Sequence, residues 1–343
     1  MSFKNLLAAA AGATALLASA ANAAAFSGVV VIGDSIVDSG NADAGAILAG
    51  QPSPTPSPPY FDGRFSNGFN YADLLSLALV GTPATAVLDT TNPLDLETNY
   101  ATGGAGVTLD PYAGNLPDEI PDLLDQVSLY VNGGLVSSIP VPSGLDTDAL
   151  HIINMGGNDF IAASLGIQNP ADISANMTIA MANALADLTN AGVSDILVSN
   201  VSTVIAARGA TPTDQAALFN AITQYNTLLE VTIDNINVTA GANVRLFDVN
   251  AINNLILSDL EGFGFDPAFV GVPCITSPQG LATDCLGFVD FDGVHPTAAV
   301  HEIYAGFAMD ALGMSEVPVP AALPLMAGGL ALAWTRRAKK QAA

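Results

Sequence analysis

Between Phe26 and Ala311 the apolar residues fall into two kinds of run that alternate along the chain. The first kind is short, continuous and rich in β-branched residues, at 27–32, 150–154, 194–199 and 244–248. Such runs, bounded by turn residues, predict strands buried on both faces, as in a parallel sheet. The second kind is longer and periodic. Ala171 to Asn190 repeats its apolar positions at helical spacing and stops before Ala191-Gly192, a suitable helix terminator. Gln215 to Ile233 sets Leu218, Phe219, Ile222, Tyr225 and Leu229 on one helical face. Strand and helix in alternation, with short links, predict right-handed crossovers and a three-layer α/β/α sandwich around a mostly parallel central sheet. Gln51 to Tyr60, with prolines at 52, 54, 56, 58 and 59, predicts an extended surface loop.

The two ends break this pattern. Lys4, an apolar Ala/Leu run from Leu6 to about Ala18, and Ala21-Asn22-Ala23 have the order of a secretory signal peptide cut after Ala23. At the other end, Val317 to Trp334 carries no charge and is followed by Arg336, Arg337, Lys339 and Lys340. That length is just enough to cross a bilayer core of about 30 Å, and the basic cluster would remain on the cytoplasmic side. The expected organisation is therefore a signal peptide over 1–23, one domain over 24–316 and a tail over 317–343.

Charge narrows the function classes. The chain of 343 residues has 32 acidic and 8 basic residues, a net charge of −24. All the acids, but only Arg64, Arg208 and Arg245 among the bases, lie in the middle domain, which therefore carries −29. Nucleic acid is excluded as a partner, because its phosphates are met mainly by basic side chains. An apolar content of 50% still allows a sizeable core. The two cysteines, Cys274 and Cys285, cannot build a multi-cysteine metal site; in an exported chain they are expected to form a disulfide closing a short surface loop. No Asp-x-Asp-x-Asp-Gly loop is present, so no metal or other cofactor is assigned.

Candidate chemistry lies where the runs end. The first strand runs into Gly33-Asp34-Ser35, which puts a serine at the carboxyl rim of the sheet, where open α/β sheets hold their ligands. Asp292-Gly293-Val294-His295 spaces a carboxylate so that it can hold the Nδ1 proton of a histidine while Nε2 faces outward. A serine hydroxyl needs such a base, and the base needs such an orienting acid. Asn99 to Gly106 and Gly156-Gly157-Asn158-Asp159 can supply N–H donors to an oxyanion. Asp34 and Asp159 are read as bonding their own turns, His151 as a core or edge residue, and His301 as part of the final helix. The Gly-x-Ser-x-Gly elbow of α/β-hydrolases is absent.

These four blocks, in this order, resemble the GDSL or SGNH family of serine esterases and lipases, over about Val29 to Ala311. Pro58 to Gly68 also resembles the branch holding plant GDSL lipases and secreted bacterial lipases. The resemblance implies a flavodoxin-like SGNH hydrolase fold, Ser35 as nucleophile, His295 as base and Asp292 as its orienter. It implies an oxyanion hole from the Ser35 and Gly104 backbone N–H groups and the Asn158 side chain. Ile36 stands where the family name has Leu, and Asn200 to Val204 lacks a proline-containing turn common in related chains. Val317-Pro318-Val319-Pro320-Ala321 resembles the PEP-CTERM sorting tail of Gram-negative bacteria, which implies exosortase-type processing and a cell-surface or extracellular location, with membrane contact only through the tail. The expected function is hydrolysis of carboxylic esters by an exported enzyme. The alternatives are a non-catalytic surface or matrix protein binding glycans or lipids on the same fold, and a carbohydrate O-deacetylase.

Overall fold

A computed structural model describes residues 26–88, 98–108, 121–136 and 139–314. The first strand, β1 (Val29–Gly33), is buried along its whole length. It is followed by helices α1 (Asn41–Leu48), α2 (Tyr71–Val80) and α3 (Leu123–Asn132), then by a small antiparallel hairpin of β2 (Gly134–Val136) and β3 (Ile139–Val141). Next come β4 (Leu150–Asn154), α4 (Gly157–Ser164), α5 (Pro170–Asn190) and β5 (Asp195–Ser199). The chain continues through α6 (Pro212–Ala240), β6 (Asn243–Phe247), α7 (Val249–Ser258), a short α8 (Pro278–Ala282) and α9 (Ala298–Ala311).

The central sheet has the order β1-β4-β5-β6, with every pairing parallel. Residues 98–102 run beside the free edge of β1, where the Val31 N–H donates to the Thr98 carbonyl at 2.9 Å and the Thr102 N–H to Gly33 at 3.0 Å. The direction of winding therefore reverses at β1. A ligand crevice is expected at such a reversal, outside the carboxyl ends of the strands.

The alternation of side chains explains the layers. Val30, Ile32, Ile153, Ile196 and Val198 face one way and pack with α3, α5 and α6; Val29, Val31, Ile152, Leu197 and Phe247 face the other and pack with α2, α7 and α9. Helices thus cover both sides of the sheet, as the alternating pattern predicts. Two details differ from the sequence reading. The helix expected over 215–233 extends further because N-cap Thr211 and Asp214 form a reciprocal capping box around Pro212 in the first turn, and Gly241 terminates it at φ 66°. Phe219 is not on its buried face and is half exposed.

The prolines at 52–59 lie outside helix and strand. Cys274 and Cys285 are bonded, but both sulfurs belong to a buried cluster with Phe288 and Phe291 instead of a surface staple. The expected signal peptide and sorting tail lie outside the described residues. Among the described helices, none is long and apolar enough to cross a membrane.

Candidate active site

At the end of β1 the chain must turn within one residue. A Cβ on Gly33 would sit 2.6 Å from the Asn154 carbonyl oxygen and 2.5 Å from Val37, so only glycine fits. The Gln126 side chain accepts from the Gly33 N–H at 2.8 Å and donates to its carbonyl at 2.9 Å, fixing both backbone groups. The Val37 and Asp38 N–H groups then donate to the Asp34 carbonyl, closing a turn that displays Ser35. The Asp34 carboxylate accepts from Ile36 N–H within this turn. Burial pushes its carboxyl up to about 7, against the Ile36 bond that favours the charge.

The histidine loop is built from the opposite end of the chain. Cys274 and Ile275 N–H donate to the Asp290 and Phe291 carbonyls, and Phe291 N–H donates to the His295 carbonyl at 2.8 Å. Gly293 takes φ +97°, which favours glycine, and its N–H donates to Asp290 Oδ1. Asp292 Oδ1 accepts from the Val294 and His295 N–H groups at 3.0 and 2.9 Å. His295 Nδ1 lies 2.8 Å from Asp292 Oδ2, and Nε2 lies 2.7 Å from Ser35 Oγ. A carboxylate only accepts, so Nδ1 carries the proton and the Nε2 lone pair faces the serine hydroxyl. Burial opposes the charge on Asp292, but the His295 contact and the two backbone donors outweigh it and hold the carboxyl below its ordinary value.

The donor segments are held with equal care. Asp38 accepts from the backbone N–H groups of Gly40, Asn41, Ala42 and Gly103. Asn41 donates to the Asn99 and Ala101 carbonyls, and Asn99 donates to the Val37 carbonyl at 2.7 Å. The Gly103 N–H is thereby consumed by Asp38, whereas the N–H groups of Gly104 and Ser35 have no acceptor among the described residues. Gly104 itself takes φ +90°. Asn158, in the first turn of α4, donates from Nδ2 to the Ala105 carbonyl at 2.8 Å. Asp159 bonds its own backbone N–H, as the sequence predicts, and its carboxylate also spans to a second segment. It reaches across to accept from Val107 N–H, Thr108 N–H and the Thr108 hydroxyl.

Ser35, Asn158 and His295 open onto a cleft of about 240 Å³ whose other wall is apolar, with Ile36, Ile161, Val201, Ile205 and Val249. Arg208 also lines it and donates to the Gly293 carbonyl. His151 and His301 are buried away from this line, beside Tyr130 and the Tyr71 N–H respectively. Among the described residues, no group of three or more His, Cys, Asp or Glu side chains is arranged to hold a metal. The supports Gln126, Asp38 and Asn41 receive no role from the sequence, and the Tyr60–Phe65 segment beside His295 is marked there only by its resemblance. The cluster Asp38-Ser39-Gly40-Asn41 carries a visible turn signal, while Gln126 carries none.

A parallel sheet with a serine, a histidine and an aspartate in one hydrogen-bonded line at its carboxyl rim defines an α/β protein with the layout of an SGNH hydrolase. Residues 29–306, which include all three, match the family model for GDSL-like lipase/acylhydrolase, and the chain belongs to that family. It is also similar to the GDSL esterase/lipase LTL1 of Arabidopsis thaliana, with 28% identity over 319 residues, covering 80% of this chain and 84% of that relative. Membership places the chain among ester-directed hydrolases.

Proposed function

We propose that the chain is an exported serine esterase or lipase that cleaves carboxylic esters through an acyl-enzyme on Ser35. The observation that carries this reading is the unbroken line from Asp292 through His295 to Ser35 Oγ. Ser35 Oγ attacks the ester carbonyl as His295 Nε2 takes its proton, and Asp292 stabilises the resulting imidazolium. The negative oxygen of the tetrahedral intermediate faces the Ser35 and Gly104 N–H groups and the Asn158 amide. As the intermediate collapses, the C–O bond to the alcohol breaks and His295 returns the proton to the leaving oxygen. Water then attacks the acyl-enzyme, giving its proton to His295, and the acid departs as Ser35 regains its hydrogen. The apolar wall of the cleft suits the acyl chain.

In the same reading, residues 1–23 direct export, 24–316 form the catalytic domain, and 317–343 are a sorting tail removed by an exosortase-type protease. Mass spectrometry of the mature protein tests this part: an intact tail through Ala343 would refute processing. For the chemistry, Ser35→Ala is expected to abolish p-nitrophenyl ester hydrolysis with an unchanged circular dichroism spectrum, and a fluorophosphonate is expected to label the wild type stoichiometrically at Ser35. Retained turnover in the variant removes Ser35 from the role. Absence of label on folded protein favours the non-catalytic glycan or lipid binder.

A further inference from the structure

The Asp292 carboxylate has a fourth partner that the four-block pattern does not contain. Its Oδ1 accepts two backbone N–H groups, and its Oδ2 accepts from His295 Nδ1. The remaining acceptor position on Oδ2 is filled by the Tyr60 hydroxyl, at 3.0 Å and 232 residues away in sequence. An ionised carboxylate offers about four acceptor sites, so Tyr60 saturates it. Burial, followed by the Asp292 charge, pushes the Tyr60 hydroxyl up, so it stays a donor.

The Tyr60 segment is built to hold that position. The Tyr60 ring meets Phe291 and Phe65 edge-on at 5.1 and 6.4 Å, and Phe65 lies against the His295 ring at 4.9 Å. Arg64 pairs with the buried Asp73 of α2 through both Nε and Nη2, at 2.8 and 3.1 Å. Ser66 and Asn67 tie the segment to the chain around the histidine, through the Pro296 carbonyl and the Ala298 N–H. A bonded aromatic brace therefore spans from α2 to the back of the histidine loop.

We infer that Tyr60 is a positioning residue for ester hydrolysis, acting through Asp292 to fix the orientation of His295 and to limit how tightly the carboxylate holds the imidazolium. This rests on the reading of Ser35, His295 and Asp292 given above. Without the Tyr60 O–H, less of the carboxylate charge is drawn away from His295. The imidazolium is then held more tightly, while the carboxylate that orients its ring is itself anchored by one bond fewer.

Tyr60→Phe keeps the ring packing and removes only the donor. Its kcat is expected to fall about tenfold, the effect of losing one hydrogen bond to a charged group, with KM unchanged. The acid limb of kcat/KM is expected to move to higher pH. Asp290, Arg208 and His301 also act electrostatically on Asp292, His295 or each other and remain in place in the variant. A purely structural role would reduce the number of sites labelled by fluorophosphonate without moving that limb. In an Asp292→Asn background, Tyr60→Phe is expected to leave the labelling rate unchanged. An unshifted acid limb with wild-type kcat, or an undiminished effect in the Asn background, overturns the inference. If Ser35→Ala is inactive while Tyr60→Phe behaves as wild type, only the Tyr60 role fails; an active Ser35→Ala removes the triad reading beneath it.

Discussion

Asn158 donates to the Ala105 carbonyl and sits in a helix turn that opens onto the cleft beside Ser35. In the proposed reaction its amide meets charge that exists only after the hydroxyl has attacked, so its loss belongs in turnover and not in substrate binding. Asn158→Ala is expected to lower kcat by about 10²–10³ with little change in KM, measured by steady-state hydrolysis of a p-nitrophenyl ester. An equal loss distributed into KM would mean that the side chain contacts the ground state instead. The position of Asn158 was legible because a Gly-Gly-Asn stretch follows a buried strand. Counting five residues on from Asn99 picks Gly104 over Gly103, but the physical reason for that choice is not in the spacing. It depends on Asp38 taking the Gly103 N–H from 65 residues away, a contact that only the folded chain defines.

At the level of elements, the periodic stretches declared themselves and the loops did not. The four strands follow from short continuous apolar runs, the pattern of strands buried on both faces as β1 and β4 are, and the two long helices from apolar residues repeated at helical spacing. The brace behind His295 has no such period: Tyr60, Phe65 and Phe291 come from two distant stretches of chain, and Tyr60 and Phe291 pack with the cluster around the disulfide. That cluster leads to a prediction. Cys274 and Ile275 pair by backbone with Asp290 and Phe291, directly before Asp292, so the disulfide restrains the loop that presents the histidine. Cys274 and Cys285 are 11 residues apart, and opening a loop of that size costs about 3 kcal/mol in the chain-entropy account. Replacing both by Ser is expected to lower the midpoint of thermal inactivation by several degrees, with near-wild-type turnover well below it. Equal inactivation midpoints for the two proteins would show that the aromatic packing alone holds the loop.

The whole molecule combines an acidic surface with buried ionisable groups whose pH responses have opposite signs. Ordinary carboxylates titrate near pH 4, so between pH 7 and 5 the dependence of stability comes from the interior. Burial drives His151 down to about 4 and His301 to about 3, from 6.5. The unfolded chain binds protons there that the native state refuses, so the stabilising effect of these histidines is full above pH 6.5 and is lost on acidification, by about 2 kcal/mol each at pH 5. Burial raises Asp34 to about 7 and Asp38 to about 6, from 3.8. Here the native state binds the proton first, so their contribution is full below pH 3.8 and is lost as pH rises through 6 to 7. Acidification from pH 7 to 5 therefore gains about 2 kcal/mol from Asp34 and about 1 kcal/mol from Asp38, offsetting much of the histidine loss. Asp34→Asn removes the larger of the two compensating groups. Relative to wild type, its unfolding free energy is expected to drop by a further 2 kcal/mol or so between pH 7 and pH 5, read by urea denaturation at each pH. Parallel pH profiles for the two proteins would mean that Asp34 stays ionised in the native state throughout, held by the Ile36 N–H and the Asn154 side chain.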